Sequence, residues 1–171
     1  VLSNSATLTI EPGVHVRATP EGGLMIARGS RLMAVGTRDL PITFSSEDAG
    51  EDGVGEWIGI EIGGFAPIYS GDPGQSEACH NAEPNTDHDH SDFNWCNESS
   101  TASDIGGDRL GDSSGRIKYA RILEAGAIVG SDGNSSGHYA LFMGAVGYNT
   151  HVSHVHVGGS LGSGVRLQGG A

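Results

Sequence analysis

The segment Asn85-Thr-Asp-His-Asp-His-Ser-Asp-Phe-Asn-Trp-Cys96 crowds three carboxylates, Asp87, Asp89 and Asp92, and two imidazoles, His88 and His90, into one short stretch. Closely spaced hard oxygen ligands are what Ca²⁺ requires, whereas the two histidines would suit Zn²⁺ or Cu²⁺. The EF-hand pattern is absent, because its sixth-position Gly and distant Glu are missing. The alternative is a solvated polar loop. Trp95 and Phe93, with Trp57, offer a surface on which a sugar ring could stack, although burial is the commoner fate of a residue such as Trp57. Cys79 and Cys96 bracket the same stretch, which reads as one disulfide and an oxidising compartment. Reduced thiols or metal ligation are the other readings. Asn97-Glu-Ser99 and Asn134-Ser-Ser136 match the glycan acceptor tripeptide, a pattern that also arises often by chance.

A second group is His151, His154 and His156. In a regular strand residues two apart share a face, so His154 and His156 could bind a metal together. The competing expectation makes His156 a wet position beside Arg121 and stacks His154 on Tyr119 at a bend. Carboxylates form a third group: Glu47, Asp48, Glu51 and Asp52 in one turn, then Asp104, Asp108 and Asp112. Paired carboxylates can act as acid and base. No strand spacing fixes one of these relative to another, which counts against catalysis.

These groups need a scaffold, and the composition limits it. The chain has 171 residues with 29 Gly, 6% aromatic residues, 9 Lys+Arg and 21 Asp+Glu, giving a net charge of −12. So much Gly disfavours helix and supplies the positive-φ corners of tight turns. The acidity argues against a nucleic-acid partner and against anionic membranes. No apolar run approaches the ~20 residues of a membrane span. The chain starts at Val1 without Met, as a processed or excised product would.

Short strands account for the apolar residues: Leu8 to Ile10, Val14 to Val16, Leu24 to Ile26, Leu32 to Val35, Ile42 to Phe44, and Trp57 to Gly63 with Ile58, Ile60 and Ile62 inward and Glu61 outward. Positions 6–17 and 23–36 read as one strand-turn-strand unit written twice, 16 to 18 residues apart, as successive coils of a solenoid would be. From 65 to 114 the periodic apolar pattern stops, which predicts an irregular polar insert of about 50 residues. Strands resume at Gly115 to Ile122 and His151 to Val157, with Tyr139 to Met143 and Gly164 to Gln168 as partners. Aligning Ile117 with Val152, Ala120 with Val155 and Ile122 with Val157 makes inward ladders. Lys118 then lies over Ser153, and Arg121 over His156, outside. The expectation is one all-β domain over 1–171, a solenoid interrupted by the insert.

The runs Leu8-Thr-Ile-Glu-Pro-Gly-Val14, Arg28 to Thr37, Leu40 to Ser46, Trp57 to Ile68, Arg116 to Ile122 and Val165 to Gly170 resemble a group of bacterial cell-surface and lipoprotein-type right-handed parallel β-helices. The resemblance implies that fold and an exported, surface location; it carries no catalytic motif onto this sequence. β-Helical lyases and glycosidases use a Lys/Arg or Asp cluster on one ladder, and here Lys118, Arg121, Ser153 and His156, with Arg166 nearby, look thinly populated. Neither end reads as capped, so the coils are expected to meet further coils of a longer chain or a second copy in a head-to-tail fibre. The leading expectation is therefore a non-catalytic, extracellular structural or adhesive protein, its insert decorated by Ca²⁺ or glycan. The competing one is a carbohydrate-binding or polysaccharide-cleaving protein that uses the Asp/His/Trp loop. Ice binding ranks behind both, because regular outward Thr-X-Thr ladders are absent.

Overall fold

A computed structural model describes residues 1–20, 22–48, 53–67, 105–128 and 138–171, and every regular element among them is a β-strand. In chain order these are β1 (Thr7–Ile10), β2 (His15–Ala18), β3 (Gly23–Ile26), β4 (Arg31–Val35), β5 (Ile42–Ser46), β6 (Gly59–Gly63), β7 (Gly115–Leu123), β8 (Leu141–Gly144), β9 (His151–Gly158) and β10 (Val165–Gln168). All eight strand pairings are parallel. β1 lies on β4, β4 on the first half of β7, and β7 on β9; β2 lies on β5 and β5 on the second half of β7. β3, β6, β8 and β10 form the second sheet in that order. The chain thus runs through three ladders and returns to the first one level further on, so four coils stack as a parallel β-helix.

The true repeat is longer than the internal similarity suggests. Leu8 pairs with Leu32, not with Leu24, and Leu24 pairs with Ile60. The two similar units are consecutive sides of the winding chain, because a coil needs a third strand to close around its core. The later alignment holds residue for residue: Ile117 faces Val152, Lys118 faces Ser153, Ala120 faces Val155, Arg121 faces His156 and Ile122 faces Val157.

Inward positions of the three ladders fill one core, including Ile26, Leu32, Ile42, Phe44, Ile60, Ile62, Ile117, Ile122 and Leu141. None of these four- and five-residue strands is stable alone; burial between neighbouring coils, worth about 1.5–3 kcal/mol for each fully buried aliphatic side chain, orders them. Ile58 is half-buried at a corner instead of joining that core.

The corners differ from coil to coil. Between the first two ladders the connection is Glu11 to Val14 in one coil and Gly36 to Pro41 in the next, and then one left-handed residue: Tyr119 at φ 49° or His154 at φ 55°. That single residue bends β7 and β9 so that each serves two ladders. Where the chain enters β7 it must pass against β4, and Gly115 has φ +118° with an ideal Cβ only 2.1 Å from the Leu32 carbonyl oxygen. Only glycine fits there.

Candidate functional site

The outward faces of the two sheets have different fates. On the β3–β6–β8–β10 sheet the outward row is Met25, Glu61, Phe142 and Arg166. It is covered. Ile105, Tyr139, Phe142 and Ala145 form a small apolar cluster with Met25 against it, and Tyr139 stacks on Phe142 at 5.9 Å. The Arg166 guanidinium donates to the Tyr139 hydroxyl. Glu61 points away from the core, as alternation requires, yet it is only 7% exposed, and its Oε1 meets His138 Nδ1 at 3.2 Å. Glu61 is the sole carboxylate within any described strand, and burial with a hydrogen-bonding partner is what makes it tolerable there. His138 stood in no motif; it follows a segment outside the described residues, and only the fold brings it to Glu61.

The face formed by β1, β2, β4, β5, β7 and β9 is cationic; among the described residues it is exposed at His15, Arg116, His151 and His156 and buried at Thr43 and Ser45. These six strands contain no Asp or Glu, and they hold five of the nine Lys and Arg and four of the eight His. Strand alternation sends the charged residues outward because their neighbours fill the core. The register arranges them in rows across the coils. One row runs His15, Thr43, Arg121, His156. Another runs Thr9, Met33, Arg116, His151, and a third Val35, Lys118, Ser153. Arg17 and Arg31 extend the same face. Rungs are about 4.8 Å apart, so a ligand lying along the stack meets a new cation or polar group at each coil.

Local contacts hold this face in shape. His15 Nε2 lies 2.7 Å from Ser45 Oγ, and Arg31 Nε donates to the Ser113 carbonyl at 3.1 Å. Tyr119 and His154 pack ring to ring at 4.4 Å on their matching bends, and Lys118 Nζ sits 5.2 Å from the Tyr119 ring centre. The bend settles the histidine question in favour of stacking. His154 occupies the turn residue, so the two-residue spacing to His156 does not create a shared metal face. Among the described residues no three or more His, Cys, Asp or Glu side chains gather to hold a metal ion.

Arg166, expected near Lys118 and Arg121, belongs instead to the other sheet. Asp112 is structural: its Oδ2 accepts from the Phe65 amide at 3.0 Å, while Arg28 and Arg109 flank the Phe65 ring. Asp87, His88, Asp89, His90, Asp92, Trp95, Cys79, Cys96, Asn97 and Asn134 all lie outside the described residues, as do Glu51, Asp52 and Asp104. No described helix is long and apolar enough to cross a membrane.

The cationic face was hidden by a whole-chain charge sum. Counting charge strand by strand would have exposed it, since every carboxylate but one among the described residues sits in a connection. What the arrangement can do chemically is hold an extended polyanion through several weak contacts at once. No curated protein and no solved structure matches the chain. The family model for the pectate-lyase-like β-helix domain matches residues 1–93, more than half of the sequence. With its parallel ladders already in view, the chain belongs to the pectate-lyase-like β-helix domain family.

Proposed function

We propose that this protein is a non-catalytic, extracellular adhesive β-helix, wound right-handed like other parallel crossovers, that holds an acidic polysaccharide along its cationic face. The observation that carries the reading is charge segregation: a chain of net charge −12 presents a sheet face with no carboxylate in its strands. A polyuronate lying along the stack would meet Arg116 and His151 on one row, Lys118 on the next, and His15, Arg121 and His156 on a third. The acidic connections would repel it from every other approach and so define its path. The family match and the resemblance to bacterial cell-surface β-helices support an exported location. That none of the described strands of that face carries a carboxylate favours holding over cleaving.

Binding measurements with polygalacturonate, neutral dextran and single-stranded DNA test this. The expected result is saturable binding of polygalacturonate and none of dextran, lost in the Arg116→Glu/Lys118→Glu variant and weakened at least tenfold by raising NaCl to about 0.5 M. No ultraviolet absorbance from an unsaturated uronide should develop. Equal affinity for DNA would reduce the face to an ion exchanger, growth of that absorbance would make the protein a lyase, and failure to bind any polyanion would overturn the reading.

A second reading, end-to-end association, is supported by the open edges of the stack. Among the described residues β1 and β2 each pair on one side only, as do β9 and β10. A further parallel coil, from a second copy or from the same polypeptide, would continue each ladder.

A further inference from the structure

After β7 the chain turns the corner between the second and third ladders at Glu124, in a left-handed conformation with φ 62°. The same corner one coil further on is taken by Gly159, φ +66°, since Leu123 pairs with Gly158. Glycine makes this turn without strain, whereas an L-residue pays about 1–3 kcal/mol for it. The glutamate is therefore not there for the turn, and its side chain must be explained. That side chain is buried, at 1% exposure. Its Oε2 accepts from the Ser46 amide at 3.0 Å, and its Oε1, equally buried, has no partner.

A second carboxylate at the corner has the same defect. Glu56 donates its amide to the Glu124 carbonyl at 2.5 Å, and its own Oε2 is buried and unpartnered. The Glu56 carboxyl folds back over Gly53, where a Cβ would fall 1.7 Å from Oε1, so a side chain at 53 would displace the carboxyl from this position. Glu124 and Glu56 are thus joined through their main chains, and each carries a buried carboxylate oxygen without a hydrogen-bond partner; among the described residues no lysine or arginine forms an ion pair with either. A buried charge left in that state is costly and calls for a counter-charge.

We propose that this corner binds a divalent, oxygen-preferring cation, Ca²⁺ foremost, between the carboxylates of Glu124 and Glu56. Hard oxygen ligands without imidazole or thiolate select Ca²⁺ or Mg²⁺ over Zn²⁺. Because the described residues offer no third carboxylate or imidazole to the group, water and main-chain oxygens complete the shell. Such a site falls in the weak class of extracellular modules, with Kd of about 10⁻⁴–10⁻³ M.

Trp57 supplies a reporter. Its indole Nε1 donates to the Leu123 carbonyl at 2.7 Å, and its main chain bridges to Ala125, so it is adjacent in sequence to Glu56 and held against the residues flanking Glu124. Tb³⁺ bound at the corner should therefore luminesce on tryptophan excitation. The second tryptophan, Trp95, belongs to the segment rich in Asp and His. The expected result is emission displaced by Ca²⁺, retained in Trp95→Phe, and weakened at least tenfold in apparent affinity by Glu124→Gln and by Glu56→Gln. Millimolar Ca²⁺ should also raise the melting temperature over EDTA in the wild type and not in Glu124→Gln. Should Glu124→Gln fail to fold, the half-exposed Glu56→Gln decides the matter alone. No sensitised emission, emission that survives the glutamate variants, or emission lost only in Trp95→Phe would overturn the proposal; in the last case the cation binds elsewhere.

Discussion

Single residues decide where this chain can turn. Tyr119, Glu124 and His154 are non-glycine residues at positive φ in or beside the longest strands, and each has a side-chain reason to be there: the Tyr119–His154 stack for two, a buried carboxylate for the third. Gly115 is the opposite case, a position where any side chain is excluded. Substituting Gly115→Ala drives a Cβ to 2.1 Å from the Leu32 carbonyl in a backbone conformation hostile to alanine. The β4–β7 pairing must shift to relieve it. The expected cost is about 3 kcal/mol or more, read as a lower urea midpoint, and Gly162→Ala, where an added Cβ meets open space, serves as the control that should move little. An unchanged midpoint for Gly115→Ala would mean that the coils slide more easily than their register implies.

Among the elements, β7 matters most because it alone pairs on both sides in two ladders, joining β4 and β5 to β9. Ile122 is fully buried on it, between Phe44 and Val157. Ile122→Ala should destabilise the protein by about 2–5 kcal/mol through lost burial and the cavity left behind. His156→Ala, exposed on the neighbouring strand, should stay within about 0.5 kcal/mol of wild type. Strand positions and the β7–β9 register were legible because inward and outward residues alternate with period two, and because Ile117, Ala120 and Ile122 match Val152, Val155 and Val157 at one fixed offset. The repeat length was not legible in the first half. Three unequal corners separate Leu8 from Leu32, and the local likeness of Leu8-Thr-Ile10 to Leu24-Met-Ile26 masks the longer period. The candidate site was visible only in fragments, Lys118 with Ser153 and Arg121 with His156. Thr43 and His15 join that row by pairings across unequal loops, and Arg116 and His151 form their own row beside it. Glu61 and His138 meet through the fold alone.

For the whole molecule, charge and apolar surface are both segregated, and together they set how it would associate. The cationic face runs along the stack, so partners gathered there leave the two ends accessible. At the first coil, Leu8, Val14, Val16, Leu24, Phe44 and Trp57 line an apolar hollow of about 630 Å³, its third ladder edge bridged by Leu2 against Ile26. The last coil presents Val165 and Leu167, the latter 67% exposed, with Leu161 beside them. A hollow at one end and projecting aliphatic side chains at the other are complementary, and joining them would also pair the free backbone edges of β1 and β2 with those of β9. Such a contact would be head-to-tail and would not close, so it would build filaments in place of dimers. Sedimentation over a range of concentrations should show a mass that grows beyond the 17.6 kDa protomer, and electron microscopy should show unbranched rods. Val165→Asp/Leu167→Asp, which puts charge on exposed positions of the last coil that stack on Leu141 and Met143, should return the protein to a single species while leaving polygalacturonate binding per protomer intact. A concentration-independent 17.6 kDa mass for the wild type would dismiss association through these ends, and rods that persist in the double variant would place the contact elsewhere.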